Sequence, residues 1–99
     1  MAVKILIKRK FKDGNMQAAS RLVINNRSGA MKQPGYISSE TLRSLDDKDQ
    51  VVVMSMWENI ETWEAWKYCE TRKANEAEFK DYFVTETEYE HYSLGLPQE

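Results

Sequence analysis

The stretch VVVMSMWENIETWEAW, residues 51–66, decides the fold, because it runs a strand with two apolar faces straight into a helix start rich in tryptophan. In its first half Val51, Val53, Ser55 and Trp57 point one way and Val52, Met54 and Met56 the other, since side chains alternate along a strand. Neither face suits water, so the strand needs two covers. A chain of 99 residues can cover one face with its own helices but has too few elements left for a second layer. The second cover is expected to be another copy of the chain, in a homodimer. In the second half Asn59 stands where a helix cap is needed and Glu61 falls in the first turn, where the helix dipole favours negative charge. Trp63 and Trp66 then lie on neighbouring faces of that helix.

The flanking segments supply the other layers. Val3, Ile5, Ile7 and Phe11 alternate with Lys4, Lys8 and Lys10, a half-buried strand with Leu6 as the exception. After a turn at Asp13, Gly14 and Asn15, the residues Ala19, Leu22, Val23, Asn26 and Ala30 form one helical stripe, and Gly29 suggests fraying of the last turn. Pro34 and Gly35 break the chain, and Tyr36 to Arg43 reads as a strand that forms a hairpin with the Val51 strand across the polar turn at residues 46–49. Thr71 is expected to cap a further helical segment that ends near Phe83 and docks through Phe79, Tyr82 and Phe83. Thr85 to Tyr92 reads as a closing strand with Thr85, Thr87, Tyr89 and His91 on one face, and the tail from Leu94 is expected to be loose. The order βαββαβ, with its second helical region split in two, makes a four-stranded antiparallel sheet with helices on one face, the ferredoxin-like α+β arrangement. The reading is one domain over residues 1–99 with an ordered core at about residues 3–93.

A formal net charge of -2 gives no general attraction to phosphate or anionic lipid, despite the local run Lys8, Arg9 and Lys10, so neither nucleic acid nor membrane is expected as a partner. The single cysteine, Cys69, cannot form an internal disulfide and reads as a small buried residue. No apolar run reaches the length of a signal or membrane-spanning segment, which makes the cytoplasm the expected compartment.

Chemistry-bearing motifs are few. One histidine and one cysteine cannot build a zinc cluster, Asp46, Asp47 and Asp49 lack the spacing and glycine of a calcium loop, and no glycine-rich phosphate loop occurs. Each aromatic side chain taken alone suits a helix-on-sheet core or an interface. As a group, tryptophans and tyrosines beside a few polar groups also suit a cavity for a planar aromatic ligand. His91 is a candidate general base, because imidazole is the side chain suited to proton transfer near neutral pH, although a surface or interface histidine fits the same position.

The residues PGYIS at 34–38, a polar strand carrying Glu40, the run from Val51 to Glu61 and WEAWK at 63–67 together resemble the antibiotic biosynthesis monooxygenase family of dimeric α+β barrel proteins. The resemblance implies two ferredoxin-like sheets packed face to face as a homodimer, in agreement with the two-faced strand. It also implies a function among cofactor-free oxygenases of aromatic quinols, haem-degrading oxygenases and small-ligand binding proteins. The haem-degrading branch is similar around Trp66, but it places a histidine ligand where this chain has Asn75 and Glu76, and an asparagine where it has Ile5, Leu6 and Ile7. No cofactor is therefore expected. A cofactor-free monooxygenase needs a dry aromatic pocket, a proton acceptor and hydrogen bonds to the developing oxyanion. The resemblance assigns pocket walls to Trp57, Trp63 and Trp66, orientation of a small aromatic or quinol-type substrate to Tyr36 and Asn59, and proton transfer to His91, with no metal. The alternatives are a binding or sensory dimer without turnover, and a cavity filled by side chains.

Overall fold

The computed structural model describes residues 1–95. In chain order they form β1 (Val3–Lys10), α1 (Met16–Ala30), β2 (Tyr36–Arg43), β3 (Gln50–Trp57), α2 (Ile60–Lys67), α3 (Glu70–Phe79), a short 3-10 turn (Lys80–Tyr82) and β4 (Glu88–Ser93). The four strands make one antiparallel sheet in the order β2-β3-β1-β4, the ferredoxin-like topology expected from the element order. The expected loose tail lies outside the described residues from residue 96 onward.

Register fixes what each face carries. Ile5, Ile7 and Arg9 of β1 pair with Ser55, Val53 and Val51 of β3, and this face is buried beneath the helices. Phe11 continues it just past the strand and is 1% exposed. The opposite phase, with Leu6, Val52, Met54 and Met56 at its centre, is only half-buried. The two-faced character of β3 is thus real. Under the helices the core divides into two clusters. One gathers Ile5, Ile7, Ala30, Trp57, Trp63 and Trp66, and the other Phe11, Ala18, Ala19, Leu22, Val51 and Phe79.

β2 contains a bulge. Tyr36 pairs with Trp57 and Ser38 with Met56, which leaves Ile37 as an extra residue without a partner. Simple alternation would put Tyr36 and Ser39 on opposite faces. The inserted residue brings both beneath the helices, where the Tyr36 hydroxyl and Ser39 Oγ are hydrogen-bonded at 2.8 Å.

Two glycines are required by close approach. Gly35 has φ +85° and any side chain there would meet Thr62 at 2.5 Å, so the turn into β2 and the start of α2 are packed directly together. The Gly35 carbonyl accepts a hydrogen bond from the Glu58 amide at 2.8 Å. Gly29 does not mark fraying, since α1 continues to Ala30. It makes room for an indole: a methyl at position 29 would lie 2.5 Å from Cη2 of Trp66. Glycine to alanine inside a helix ordinarily gains about 1 kcal/mol. At position 29 the overpacking term of about 1–3 kcal/mol opposes that gain, so Gly29→Ala is expected to be neutral to destabilising and to displace Trp66. Thermal melting together with tryptophan fluorescence checks this, and a stabilised variant with an unchanged spectrum would contradict it.

The helix ends follow local chemistry. Asn59 caps α2, its side-chain oxygen accepting from the Thr62 amide at 2.9 Å, while the Thr62 hydroxyl returns a hydrogen bond to the Asn59 carbonyl. Thr71 is not a cap. Cys69 occupies that position without a side-chain bond, because the break after α2 is shorter than the sequence suggests. The helical segment stops at Phe79 and finishes in the 3-10 turn, whose Tyr82 and neighbouring Phe83 pack onto the second cluster. β4 begins only at Glu88, so Thr85 and Thr87 are not strand residues.

Candidate functional site

Between α1 and the sheet lies a cavity of about 40 Å³. Tyr36, Trp63 and Trp66 supply its aromatic walls, Ile7, Val23, Ala30 and Val53 its aliphatic ones, and Arg9, Asn26, Arg27, Ser39, Thr41, Ser55 and Arg72 its polar ones. A water needs about 10–15 Å³ of such space, so the cavity as it stands holds a few atoms, not a polycycle.

Three of the six residues proposed from sequence meet here: Tyr36, Trp63 and Trp66. The other three do not line it. Trp57 is fully buried behind the wall, edge-on to Tyr36 at 5.5 Å and to Trp63 at 6.0 Å between ring centres, and its indole donates to Ser55 Oγ at 2.7 Å. Asn59 is occupied as the cap of α2. His91 sits exposed on β4, opposite Ile5, at the edge of the sheet.

A buried polar network absent from the sequence reading forms one side of the cavity. Arg9 is 4% exposed and one of its terminal nitrogens, Nη2, donates to both Glu76 oxygens, at 2.7 and 2.6 Å. Asn26 donates to Glu76 at 2.6 Å and accepts from Asn75 at 3.0 Å. Arg72, also 4% exposed, donates to the Tyr89 hydroxyl at 3.0 Å and lies over the rings of Trp63 and Tyr89. Cation–π contact helps keep such a desolvated guanidinium in place. Burial alone would push the Glu76 carboxyl up, but the charges of Arg9 and Arg72, with hydrogen bonds from Arg9 and Asn26, outweigh it and hold the group below the usual carboxylate range. One carboxylate thus faces two guanidinium groups, and the cavity wall keeps a positive excess.

Both residues at the positions compared with the haem ligand, Asn75 and Glu76, belong to this network. Among the described residues, no three of His, Cys, Asp and Glu come together as metal ligands.

Two buried donors of residues that line the cavity have no hydrogen-bond partner among the described residues: Nε of Arg9 and Nε1 of Trp63. Each such group costs on the order of 1–3 kcal/mol while unpaired. Signals for the network exist in the sequence. Arg9 is in phase with Ile5, Ile7 and Phe11, and Arg72, Glu76 and Phe79 recur at intervals of four and three along one helix face. Charge is what hid them.

The profile of the antibiotic biosynthesis monooxygenase family matches residues 2–83. No curated protein sequence matches the chain. Among solved structures, a protein of Nitrosomonas europaea superposes with a TM-score of 0.87 at 15% identity, covering 99% of this chain and 94% of that one. A conserved protein from Methanosarcina mazei Go1 gives a TM-score of 0.85 at 16% identity, over 93% of this chain and 91% of that one. SnoaB of Streptomyces nogalater, a cofactor-independent oxygenase, gives 0.82 at 11% identity, over 97% and 95% of the two chains. At such identities these likenesses establish the fold, while the match over residues 2–83 establishes kinship: the chain belongs to the antibiotic biosynthesis monooxygenase family.

Proposed function

We propose that this chain is a cofactor-free monooxygenase of a small aromatic, quinol-type substrate, held with its oxygen-bearing edge in the cavity between α1 and the sheet. Family membership supports the reaction class, as does the likeness to SnoaB, which is a cofactor-independent oxygenase. The observation that carries the reading is the positive wall of the cavity, where Arg9, Arg27 and Arg72 line the same space as Tyr36, Trp63 and Trp66. Such a site favours an anionic oxygen over a neutral one. A phenol bound there ionises more readily. Its conjugate anion is electron-rich enough to react with dioxygen: a ring CH2 plus O2 gives C=O and H2O. His91 has no part in this reading, because it lies outside the cavity lining, and Glu76 is a weak base held ionised by its arginines. The proton passes to solvent through the cavity mouth, where Thr41 is exposed.

The test is oxygen uptake with anthrone and with reduced naphthoquinol. Uptake above buffer is expected for the wild type, and Trp63→Phe, which deletes one donor, is expected to lower it by on the order of 10²-fold. No uptake above buffer with either substrate would remove the oxygenase reading. The small cavity volume favours, as the second reading, a space filled by side chains in a dimer that merely packs.

The proposal includes a homodimer in a dimeric α+β barrel. The face bearing Leu6, Val52, Met54 and Met56 has no cover within the described residues, and its apolar area calls for one. Light scattering at micromolar concentration is expected to give twice the chain mass, and Met54→Lys, at the middle of that face, to give one. A monomeric wild type would refute this. A half-buried, unpaired Cys69 suits a reducing compartment such as the cytoplasm.

A further inference from the structure

Three oxidisable rings stand in a row from the core to the sheet edge: Trp57, Trp63 and Tyr89, with successive ring centres 6.0 Å apart. Trp63 lines the cavity, Trp57 lies fully buried behind it, and Tyr89 is partly exposed on the edge strand β4. Packing accounts for the rings but not for how charge and hydrogen bonds are distributed along them. Neither indole has a basic acceptor for its N–H: Nε1 of Trp57 donates to the neutral Ser55 hydroxyl, and Nε1 of Trp63 has no partner among the described residues. An indole that loses an electron here stays a cation, and at Trp63 the Arg72 guanidinium, 5.4 Å from the ring centre, opposes that charge. Tyr89 differs. A phenol that loses an electron sheds its proton too and becomes a neutral radical, which the neighbouring cations do not oppose. Arg72 donates to its hydroxyl at 3.0 Å and Lys67 Nζ lies 4.2 Å from its ring centre, so both favour departure of the proton, which the hydroxyl is free to give to water. The other phenol beside the indoles, Tyr36, bonds to the Ser39 hydroxyl, which takes up no proton. The charges therefore drive an electron vacancy from the indoles outward to Tyr89.

We infer that this row is a conduit for single electrons, which draws an oxidising equivalent out of the cavity before it damages the site. Indole and phenol rings yield single electrons readily, and tunnelling falls steeply with the gap between rings, so rings at packing distance form the fast route. The inference rests on the proposed function for the source of the oxidant, an organic peroxyl radical formed when a substrate radical takes up dioxygen and leaves the productive course. That radical takes one electron from Trp63 and becomes a peroxide anion. The Trp63 cation radical takes one electron from Tyr89, whose proton goes to water, and a soluble thiol then returns a hydrogen atom to the Tyr89 phenoxyl. In sum, a peroxyl radical and a thiol give a peroxide anion, a proton and a thiyl radical, and both side chains are restored.

The conduit is tested in the intact protein without substrate. A UV flash at the red edge of the protein's absorption, where tyrosine does not absorb, ionises tryptophan, and transient absorption follows the indolyl and phenoxyl radicals. In the wild type the indolyl signal is expected to decay as a phenoxyl signal grows, at a rate independent of protein concentration. Tyr89→Phe is expected to lose that growth and to lengthen the indolyl lifetime. Trp63→Phe, which removes the middle ring, is expected to lose the growth as well, and Tyr82→Phe, in the other core cluster, to keep it. Melting curves of the three variants report whether they fold. No phenoxyl growth in the wild type, or undiminished growth in folded Tyr89→Phe or Trp63→Phe, would overturn the conduit. Turnover tests its purpose: with anthrone, Tyr89→Phe is expected to inactivate after severalfold fewer turnovers than the wild type and to accumulate oxidised Trp63, read by peptide mass spectrometry. Equal survival of the two proteins would overturn the protective role. A phenoxyl signal in a protein that takes up no oxygen with anthrone or naphthoquinol would sustain the conduit while removing the oxygenase reading.

Discussion

Glu76→Ala is expected to cost about 3–5 kcal/mol of stability, because removal of one partner of a buried ion pair leaves the other uncompensated. Here the effect falls on Arg9, which is 4% exposed and whose only side-chain hydrogen-bond partner among the described residues is that carboxylate, and on Asn26, which loses the same acceptor. Arg72, 3.9 Å from Glu76, retains Tyr89 and two aromatic rings. Glu76→Gln keeps the volume and one acceptor oxygen, so its loss should be smaller, and the difference between the two measures what the charge contributes. Urea unfolding is the suitable assay, since a domain of ordinary stability has only about 5–15 kcal/mol in total. The same carboxyl gives a pH signature. Its folded pKa lies below the ordinary value of 4.5, so its contribution is fully present above about 4.5 and is lost as the pH falls through the lower folded value. The wild type should therefore lose stability on acidification through that window by more than Glu76→Gln does. Parallel acid profiles for the two proteins, or a Glu76→Ala variant within 1 kcal/mol of wild type, would count against the network.

Trp57→Ala is expected to cost a similar amount, about 3–5 kcal/mol, the range for truncating a large aromatic in a core. Trp57 is fully buried and is the common neighbour of Tyr36 and Trp63, the two aromatic walls of the cavity nearest the sheet. Its loss should both destabilise the fold and let those walls collapse inward. Trp57→Phe keeps a ring between them and forfeits mainly the hydrogen bond to Ser55, so it should recover most of the stability. If Trp57 touched ligand directly, Trp57→Phe would lower oxygen uptake with anthrone without altering the melt. The expected outcome is the reverse: a lower melting temperature with uptake largely preserved.

The fold was legible where hydrophobic period and turn chemistry agree. β1, β3 and the stripe of α1 follow from alternation and helical spacing, and the cap at Asn59 from its side chain, because in each case the local preference and the tertiary burial point the same way. Thr71 misled because any threonine before a polar helix resembles a cap, while the real boundary depends on how α2 ends against the sheet. The aromatic half of the site was legible for the same reason the core was. Its polar half was not: Arg9, Arg72 and Glu76 obey the inward period but carry charges that a binary pattern assigns to solvent, and burial depends on the pairing of Arg9 with Glu76 across 67 positions of sequence and of Arg72 with Tyr89. Asn59 and His91 were credited with chemistry by residue type, a criterion blind to distance; Asn59 is occupied as a cap and His91 lies exposed at the sheet edge.

The extra residue in β2 bears on how the length of this segment can vary among relatives. Without Ile37, Tyr36 and Ser38 would alternate as neighbours in a regular ladder, with Tyr36 still opposite Trp57 and Ser39 still opposite Ser55. A deletion farther along the strand is absorbed only by drawing Ser39 to the outer face and turning Ser38 inward. One position of the strand therefore carries a silent gap, while the same gap a few residues on rewrites the wall of the site. Insertions and deletions in this family should accumulate at the start of β2 and be purged beyond it, so that the hydroxyl facing Tyr36 persists while the chain around it changes length.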